Sequence, residues 1–582
     1  MMGVLARRLL PVVLSANAIL TAQEPIRYTV RIPQPDSHYA EVTLDAPASG
    51  PRLLFQTAVW TPYVTREYAR NVEDLRAEGK AAVTKVTKNR WQVETGGAAR
   101  VRLHYRVYCR AMHVQDCFID DEFALLNGAP LFLTLEHHRR PHEVRFELPA
   151  GWQKSVTQMA GAGAPHHYIA PDYDTLMDSP VILGNPSIHT TVVAGKRIHL
   201  VNVGDASQWN GEKAVADLAR IAEAQSRIWG GFPCEDYYFL NVLSGRGGGM
   251  EHRCSTVTMT RPDAAQNPRR YRAWLELLSH EMFHLWNVKR LRPAEITPGE
   301  FETEVYPRTL GIAEGFTSYY GPLAVYRAGL MTQKEWLNNL SQQIHELEST
   351  PGRRAQTLAM SSFDTWIKFY RPDENSRNTS ISYYTKGAVV AFLLDARIRT
   401  MTSGRRRLDD AMRRALERNP EERGYTLDSF REAAEEVAGG SLREWFRKHF
   451  ESTEELDYRE ALAWFGLEME YRGGEGSWLG IEMEPRGTRV AVRRVDRDSP
   501  AARAGLSVDD ELVSLNGTPL TPANAADRLA SLQPGARASF ELLRRGRRIQ
   551  RDVLAALAPP VAFQLVVDGR AGGQPARRRE SW

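Results

Sequence analysis

The chain has 582 residues, which at roughly 100 to 200 residues per domain predicts about three to five domains. Hydrophobic residues make up 42% and charged residues 25%, a globular rather than a disordered composition. Lysine and arginine exceed aspartate and glutamate by only 75 to 71, so the net charge of +4 leaves no electrostatic footprint for nucleic acid, and that class of partner is set aside.

In chain order, MMGVLARRLLPVVLSANAILTAQEP carries Arg7 and Arg8, an apolar stretch broken by Pro11, and small-residue sites at Ala16-Asn17-Ala18 and Ala22. This pattern predicts a secretory signal peptide over 1–22 and a periplasmic or secreted protein. No other segment approaches the roughly 18 uninterrupted apolar residues of a membrane span. Residues 23–184 favour strands, because RYTVRIP, YAEVTLDA, RLLFQTAVW, ARVRLHYRVYC and EVRFELPA place alternating or β-branched apolar residues between Pro, Gly and Asp breaks. Cys109 and Cys117 flank a predicted hairpin here. They are open to two readings, a disulfide in an oxidising compartment or a buried unpaired couple. None of the four cysteines has the CxxC spacing of a cysteine zinc site.

From 185 to 472 the apolar period becomes helical, as in EKAVADLARIAEAQSRIWGGF, RAWLELLSHEMFHLWNVKRL and KGAVVAFLLDARIRTMT. The Gly-rich YRGGEGS then predicts a linker, and short strands return from Trp478, giving a small β-rich domain over 476–557. The remaining 558–582, ending in the arginine-rich RAGGQPARRRESW, reads as a solvated tail. The expected fold class is multidomain α+β.

The chemistry centres on SHEMFHLWNVKRL. Residues four apart share a helix face, so His280 and His284 can offer imidazoles to one ion, while Glu281 points aside and can take a proton without being a ligand. The flanks are apolar, and buried imidazoles need partners. A third histidine at the metzincin spacing is absent, since NVKRLRP follows. The better third ligand is Glu314 in GIAEGFTSYY, because a carboxylate among Ile312, Phe316 and Tyr319 is costly unless coordinated.

SHEMFHLWNVKRLRP followed by AEGFTSYYG resembles the glycyl aminopeptidase family of gluzincin-type zinc peptidases, distant relatives of aminopeptidase N. The resemblance extends to AVWTPYVTREYARNV, DDEFALLNGAPLFL, YDTLMDSPVILG, GGGMEHRCST, SSFDTWIKFYRPDENS and SYYTKGAVV. It departs in one loop, where Tyr63 follows Pro62 directly and the usual WTPGSY pattern has glycine. The resemblance implies a β-rich N-terminal domain, a thermolysin-like catalytic domain and a C-terminal PDZ module. It also implies one Zn²⁺ per chain on His280, His284 and Glu314, with Glu281 as general base.

GGMEH is similar to the GxMEN exopeptidase strand of aminopeptidase N relatives, with His252 in place of their Asn. That likeness implies a substrate lined by Gly248, Gly249 and Met250 and gripped at its free amino terminus by Glu251. YYTKG looks like the segment whose tyrosine, here Tyr384, stabilises the oxyanion. The family further implies peptide substrates with small first residues, Gly or Ala.

WLGIEMEPRGTRVAVRRVDRDSPAARAGLSVDDELVSLNGTPL resembles PDZ domains of bacterial protease-associated type. Leu479, Gly480 and Ile481 then correspond to the loop and strand that receive a peptide C-terminus by strand addition. Capture of C-termini and simple packing on the catalytic unit both stay open for this module. Two alternatives stand beside the zinc aminopeptidase: an endopeptidase that recruits proteins through its PDZ module, and a non-catalytic PDZ binding protein.

Overall fold

Alternating burial along Ile26–Arg31 and Tyr39–Pro47 shows why the first domain is a sheet protein: every second side chain enters the core. The two strands pair antiparallel, and Ile26–Arg31 also pairs parallel with His142–Glu147, within a seven-stranded sheet. The computed structural model describes residues 23–61, 63–136, 140–296, 302–472, 474–580 and 582. The signal peptide expected over 1–22 lies outside them. Cys109 and Cys117 sit in the core of this domain as free, buried thiols, so the unpaired reading holds. The disulfide instead joins Cys234 and Cys254, with Cα atoms 6.0 Å apart.

The region read as mainly helical opens with a five-stranded sheet, in which Lys196–Gly204, Asp236–Leu243 and Ser255–Thr260 run parallel. Both its faces are covered. Ile198, Leu200, Tyr237 and Phe239 join the helical core, while Val201, Val203, Leu240 and Val242 pack against Phe118, Phe123 and Ile182 of the N-terminal domain. Strands buried on both faces lose alternation, which is why they do not stand out in a periodicity reading. Gly248–Glu251 forms one edge of this sheet, antiparallel to Ser255–Thr260.

The HExxH helix, Pro268–Phe283, starts where Asn267 accepts hydrogen bonds from the N–H groups of Arg269 and Arg270, with proline in the first turn. It buries Trp274, Leu275, Leu278 and Met282. The helix Tyr383–Met401 is capped by Ser382 and runs through the middle of the helical layer, buried almost throughout. It crosses the turn Gly311–Phe316 glycine on glycine: a Cβ on Gly315 would stand 2.4 Å from the Gly387 Cα, and one on Gly387 would stand 2.4 Å from the Gly311 carbonyl oxygen. Only glycines let these two segments meet.

The C-terminal module has a sheet in which Ile481–Arg486 is an edge strand, paired among the described residues only with Arg489–Val495. It is flanked by a strand pair of its own making: Leu467–Arg472 before it pairs antiparallel with Val561–Val567 after it. The second of these packs on the helix Gln333–Ser349, where the Leu565 N–H donates to Ser341 Oγ at 2.8 Å. Asn378 fastens the module further, donating to the Val495 carbonyl and accepting from the Arg497 N–H, both at 2.8 Å.

The solvated tail expected over 558–582 is therefore corrected. After that strand, Gly573–Glu580 is helical and Arg579 is buried, donating to the Gly466 carbonyl at 3.0 Å. Trp582 stacks on Phe465 with ring centroids 4.0 Å apart, and its Nε1–H donates to Tyr319 Oη at 2.9 Å. The arginine run hid an aromatic anchor. Trp582→Ala is expected to destabilise the helical domain by about 3–5 kcal/mol, read from the shift of its chemical-denaturation midpoint.

Candidate active site

His280 lies in the last turn of the HExxH helix and His284 at its C-cap, so their rings leave the same face one turn apart. Glu314 comes from Gly311–Phe316, a π-helical turn leading into the helix Thr317–Arg327. The three ligand atoms converge. His284 Nε2 is 3.1 Å from His280 Nε2 and 3.2 Å from Glu314 Oε2, and His280 Nε2 is 3.5 Å from the same oxygen. A tetrahedral zinc with bonds of about 2.0–2.1 Å spaces its ligand atoms about 3.3 Å apart, so this triangle fits the ion.

Hydrogen bonds at Asn287 set that triangle. The His284 Nδ1–H donates to the Asn287 carbonyl at 2.9 Å, which leaves the Nε2 lone pair facing inward. The Asn287 side-chain amide lies 2.9 Å from the Ile312 carbonyl, 3.0 Å from the Ala313 carbonyl and 3.0 Å from Thr317 Oγ1. One buried side chain thus joins the end of the histidine helix to the turn that carries Glu314.

Charge within the triangle is complementary, and a cation bound there would displace the imidazole proton. Burial opposes ionisation of Glu314, yet the adjacent His284 and His280 hold its carboxyl well below the usual carboxylate range. Burial likewise opposes charge on His284, and Glu314 outweighs it, raising that imidazole to about 10. Glu281 is buried too. Its desolvation, opposed by His284 and reinforced by Glu251 and Glu314, pushes the carboxyl well above its ordinary range.

The edge strand Gly248–Glu251 passes directly over Glu281: a Cβ on Gly249 would fall 2.1 Å from Glu281 Oε1, so only glycine permits the approach. Glu251 is buried beside the metal ligands, and Glu251, Glu281 and His284 place ligand atoms within 4.8 Å of one another. Beyond it, His252 Nδ1 stands 3.2 Å from Asp178 Oδ1, and Lys289 Nζ donates to the same oxygen at 2.8 Å. Burial works against the Asp178 charge, but Lys289 and His252 hold its carboxyl well below the usual range. This network stiffens the strand end.

Tyr384 faces the cavity from the first turn of the helix Tyr383–Met401, its ring centroid 6.4 Å from that of His280. Burial, then the charge of Glu314, raises its pKa well above 10, so the phenol stays protonated and can donate. Tyr370 Oη lies 3.4 Å from Tyr384 Oη. The cavity, of about 130 Å³, is lined by Gly249, Met250, Glu251, the metal-site residues, Tyr370 and Tyr384. Gln115 and Tyr63 complete it from the N-terminal domain.

Every catalytic-domain residue singled out from sequence reaches this cavity except Gly248, whose neighbour Gly249 does. Leu479, Gly480 and Ile481 lie apart in the PDZ module, at the start of its edge strand. Sequence reasoning missed Asn287, Asp178, Lys289, Tyr370 and Gln115. Asn287 had left a signal, a polar residue inside the apolar run HLWNVKRL; the others act through contacts between distant segments.

A His-His-Glu triangle drawn from an HExxH helix and a later turn, with a second carboxylate at its side, defines a gluzincin-type metallopeptidase site. The chain belongs to the M61 glycyl aminopeptidase family: the M61 glycyl aminopeptidase model matches residues 273–390, the M61 N-terminal domain residues 27–185 and a PDZ domain residues 477–554. Among solved structures, an aminopeptidase N family protein from Idiomarina loihiensis aligns over 95% of this chain and 99% of its own, with a TM-score of 0.86 and 26% identity. An M1 zinc metallopeptidase from Deinococcus radiodurans aligns over 75% and 95%, with a TM-score of 0.46 and 14% identity. A curated relative, the probable periplasmic serine endoprotease DegP-like of Pseudomonas putida (strain W619), is 38% identical over 69 residues, 12% of this chain. The match spans only 14% of that relative's length.

Asn287→Ala leaves all three ligands and the backbone bond to His284 in place and removes the side-chain link to the Glu314 turn. Zinc affinity is expected to fall about 10- to 100-fold, measured by chelator competition.

Proposed function

We propose that the protein is a zinc aminopeptidase that removes small residues, Gly or Ala, from the amino terminus of peptides. The observation that carries this reading is the shared cavity, where the His280–His284–Glu314 triangle, Glu281 and the additional buried carboxylate of Glu251 face one another. A zinc ion held by the triangle would acidify a water towards a pKa of about 7 and polarise the scissile carbonyl.

The chain's own residues supply the rest. Glu281, held beside the triangle, takes a proton from the attacking water and returns it to the departing nitrogen. Tyr384 donates to the oxyanion that develops on the carbonyl. Glu251 pairs with the peptide's α-ammonium, which needs a counter-charge in a buried site and fixes the first peptide bond over the reacting groups. Gly248–Glu251 is an edge strand, and its open side suits an incoming peptide backbone. A cavity of about 130 Å³ is well below the roughly 300 Å³ at which larger ligand pockets begin, which favours a small first side chain.

The free edge of Ile481–Arg486 supports capture of peptide C-termini by the PDZ module at Leu479, Gly480 and Ile481. The Cys234–Cys254 disulfide supports export to an oxidising compartment, in line with the leader-like first 22 residues.

Metal analysis beside a dipeptide panel tests the reading. Unblocked alanyl and glycyl dipeptides are expected to be cleaved and their acetylated forms not; equal cleavage of both would remove Glu251 from its role and favour an endopeptidase. Glu281→Gln is expected to keep stoichiometric zinc and lose about 10²- to 10⁴-fold in kcat. Glu314→Ala is expected to lose the metal, and stoichiometric zinc in that variant would refute the third ligand.

A further inference from the structure

Tyr63 occupies the turn between the two-residue strands Trp60–Thr61 and Val64–Thr65 of the N-terminal domain. Its φ is +78°, in the left-handed region that a bulky aromatic rarely enters, at the loop where the family pattern has glycine. The side chain is 5% exposed and packs with the hydrophobic cluster of the catalytic domain, away from the core of its own domain. It lines the cavity that holds Glu251, Glu281, Glu314 and Tyr384. Its hydroxyl is buried with no hydrogen-bond partner among the described residues.

Two costs thus fall on one residue, a strained backbone and an unpaired buried hydroxyl, and a turn built for stability would carry neither. Packing alone does not account for the hydroxyl, since phenylalanine would fill the same space. The buried carboxylate of Glu251 lines the same cavity, so the complementary ligand is a cation with N–H groups to give.

We propose that Tyr63 is a specificity-determining residue lent by the N-terminal domain. Its ring limits the cavity around the first side chain, and its hydroxyl oxygen accepts a hydrogen bond from the peptide's α-ammonium beside Glu251. The proposal rests on the aminopeptidase reading. It goes beyond it by making a residue outside the catalytic domain decide which amino termini are accepted.

The test compares the zinc-loaded wild type, Tyr63→Phe and Tyr63→Gly on alanyl and leucyl dipeptides, with thermal midpoints measured alongside. Tyr63→Phe is expected to keep the midpoint, because the lost hydroxyl had no partner in the free protein. Its kcat/KM should fall about 10-fold, mainly through KM, with the alanyl-to-leucyl ratio unchanged. Tyr63→Gly, which also relaxes the turn, is expected to lower that ratio at least 10-fold by admitting leucine. Unchanged kcat/KM in Tyr63→Phe overturns the hydrogen bond, and an unchanged ratio in Tyr63→Gly overturns the wall. A zinc-loaded wild type that cleaves neither dipeptide overturns the aminopeptidase reading together with this one, whereas a competent wild type confines any failure to Tyr63.

Discussion

Asn287 holds the geometry on which the rest depends. Its carbonyl receives the Nδ1–H of His284, while its side-chain amide reaches Ile312, Ala313 and Thr317 on the segment that carries Glu314. A metal triangle drawn from two separate segments has no intrinsic reason to close, because each helix end is free to shift by an ångström. One residue bonded to His284 through its backbone carbonyl and to the Glu314 segment through its side-chain N–H groups removes that freedom, and in a low-dielectric interior such bonds are costly to break. The π-helical turn Gly311–Phe316 contributes to the same end: the wider turn alters which face its side chains take, and Glu314 leaves it towards the two imidazoles.

The site is assembled around close backbone approaches. Gly249 lets an edge strand lie on Glu281, and Gly315 with Gly387 lets the Tyr384 helix lie on the Glu314 turn. Glu281 and Glu314 are both buried there, and their neighbours decide the direction of each shift: desolvation raises Glu281, while His284 and His280 outweigh it and hold Glu314 down. Environments that separate the protonation of neighbouring carboxylates also divide their tasks, one suited to ligation and one to proton transfer.

The domains are bound into one another. The catalytic sheet is sandwiched between its own helices and the N-terminal sheet, so the N-terminal domain can deliver Tyr63 and Gln115 to the cavity wall. The PDZ module sits between two paired strands, and the chain returns after it to pack Trp582 against Phe465 and Tyr319. Tyr319 lies on the helix that continues the Glu314 turn, which ties the last aromatic of the sequence to the structure around the metal site.

Much of this was legible in the residues. HExxH at one helical turn places two candidate ligands on one face with Glu281 to their side by geometry alone, and an acidic residue in an apolar helix, Glu314, announces a partner because an unpaired buried carboxylate is too costly. Alternation along Ile26–Arg31 likewise identifies a half-buried strand. What the sequence could not show are features whose cause is contact between distant segments. The parallel strands of the catalytic sheet lack alternation because a second domain covers their outer face. Cys234 and Cys254 pair, while Cys109 and Cys117 do not, through proximity that spacing does not encode. Tyr63 stood out only as a departure in one loop, and its place in the cavity wall follows from the packing of two domains. The sequence by itself determined the kind of chemistry, since that resides in residue types at short, helix-defined intervals. Tertiary structure alone decided which remote side chains complete the site, because burial, strain and unpaired hydroxyls exist only once the domains are packed.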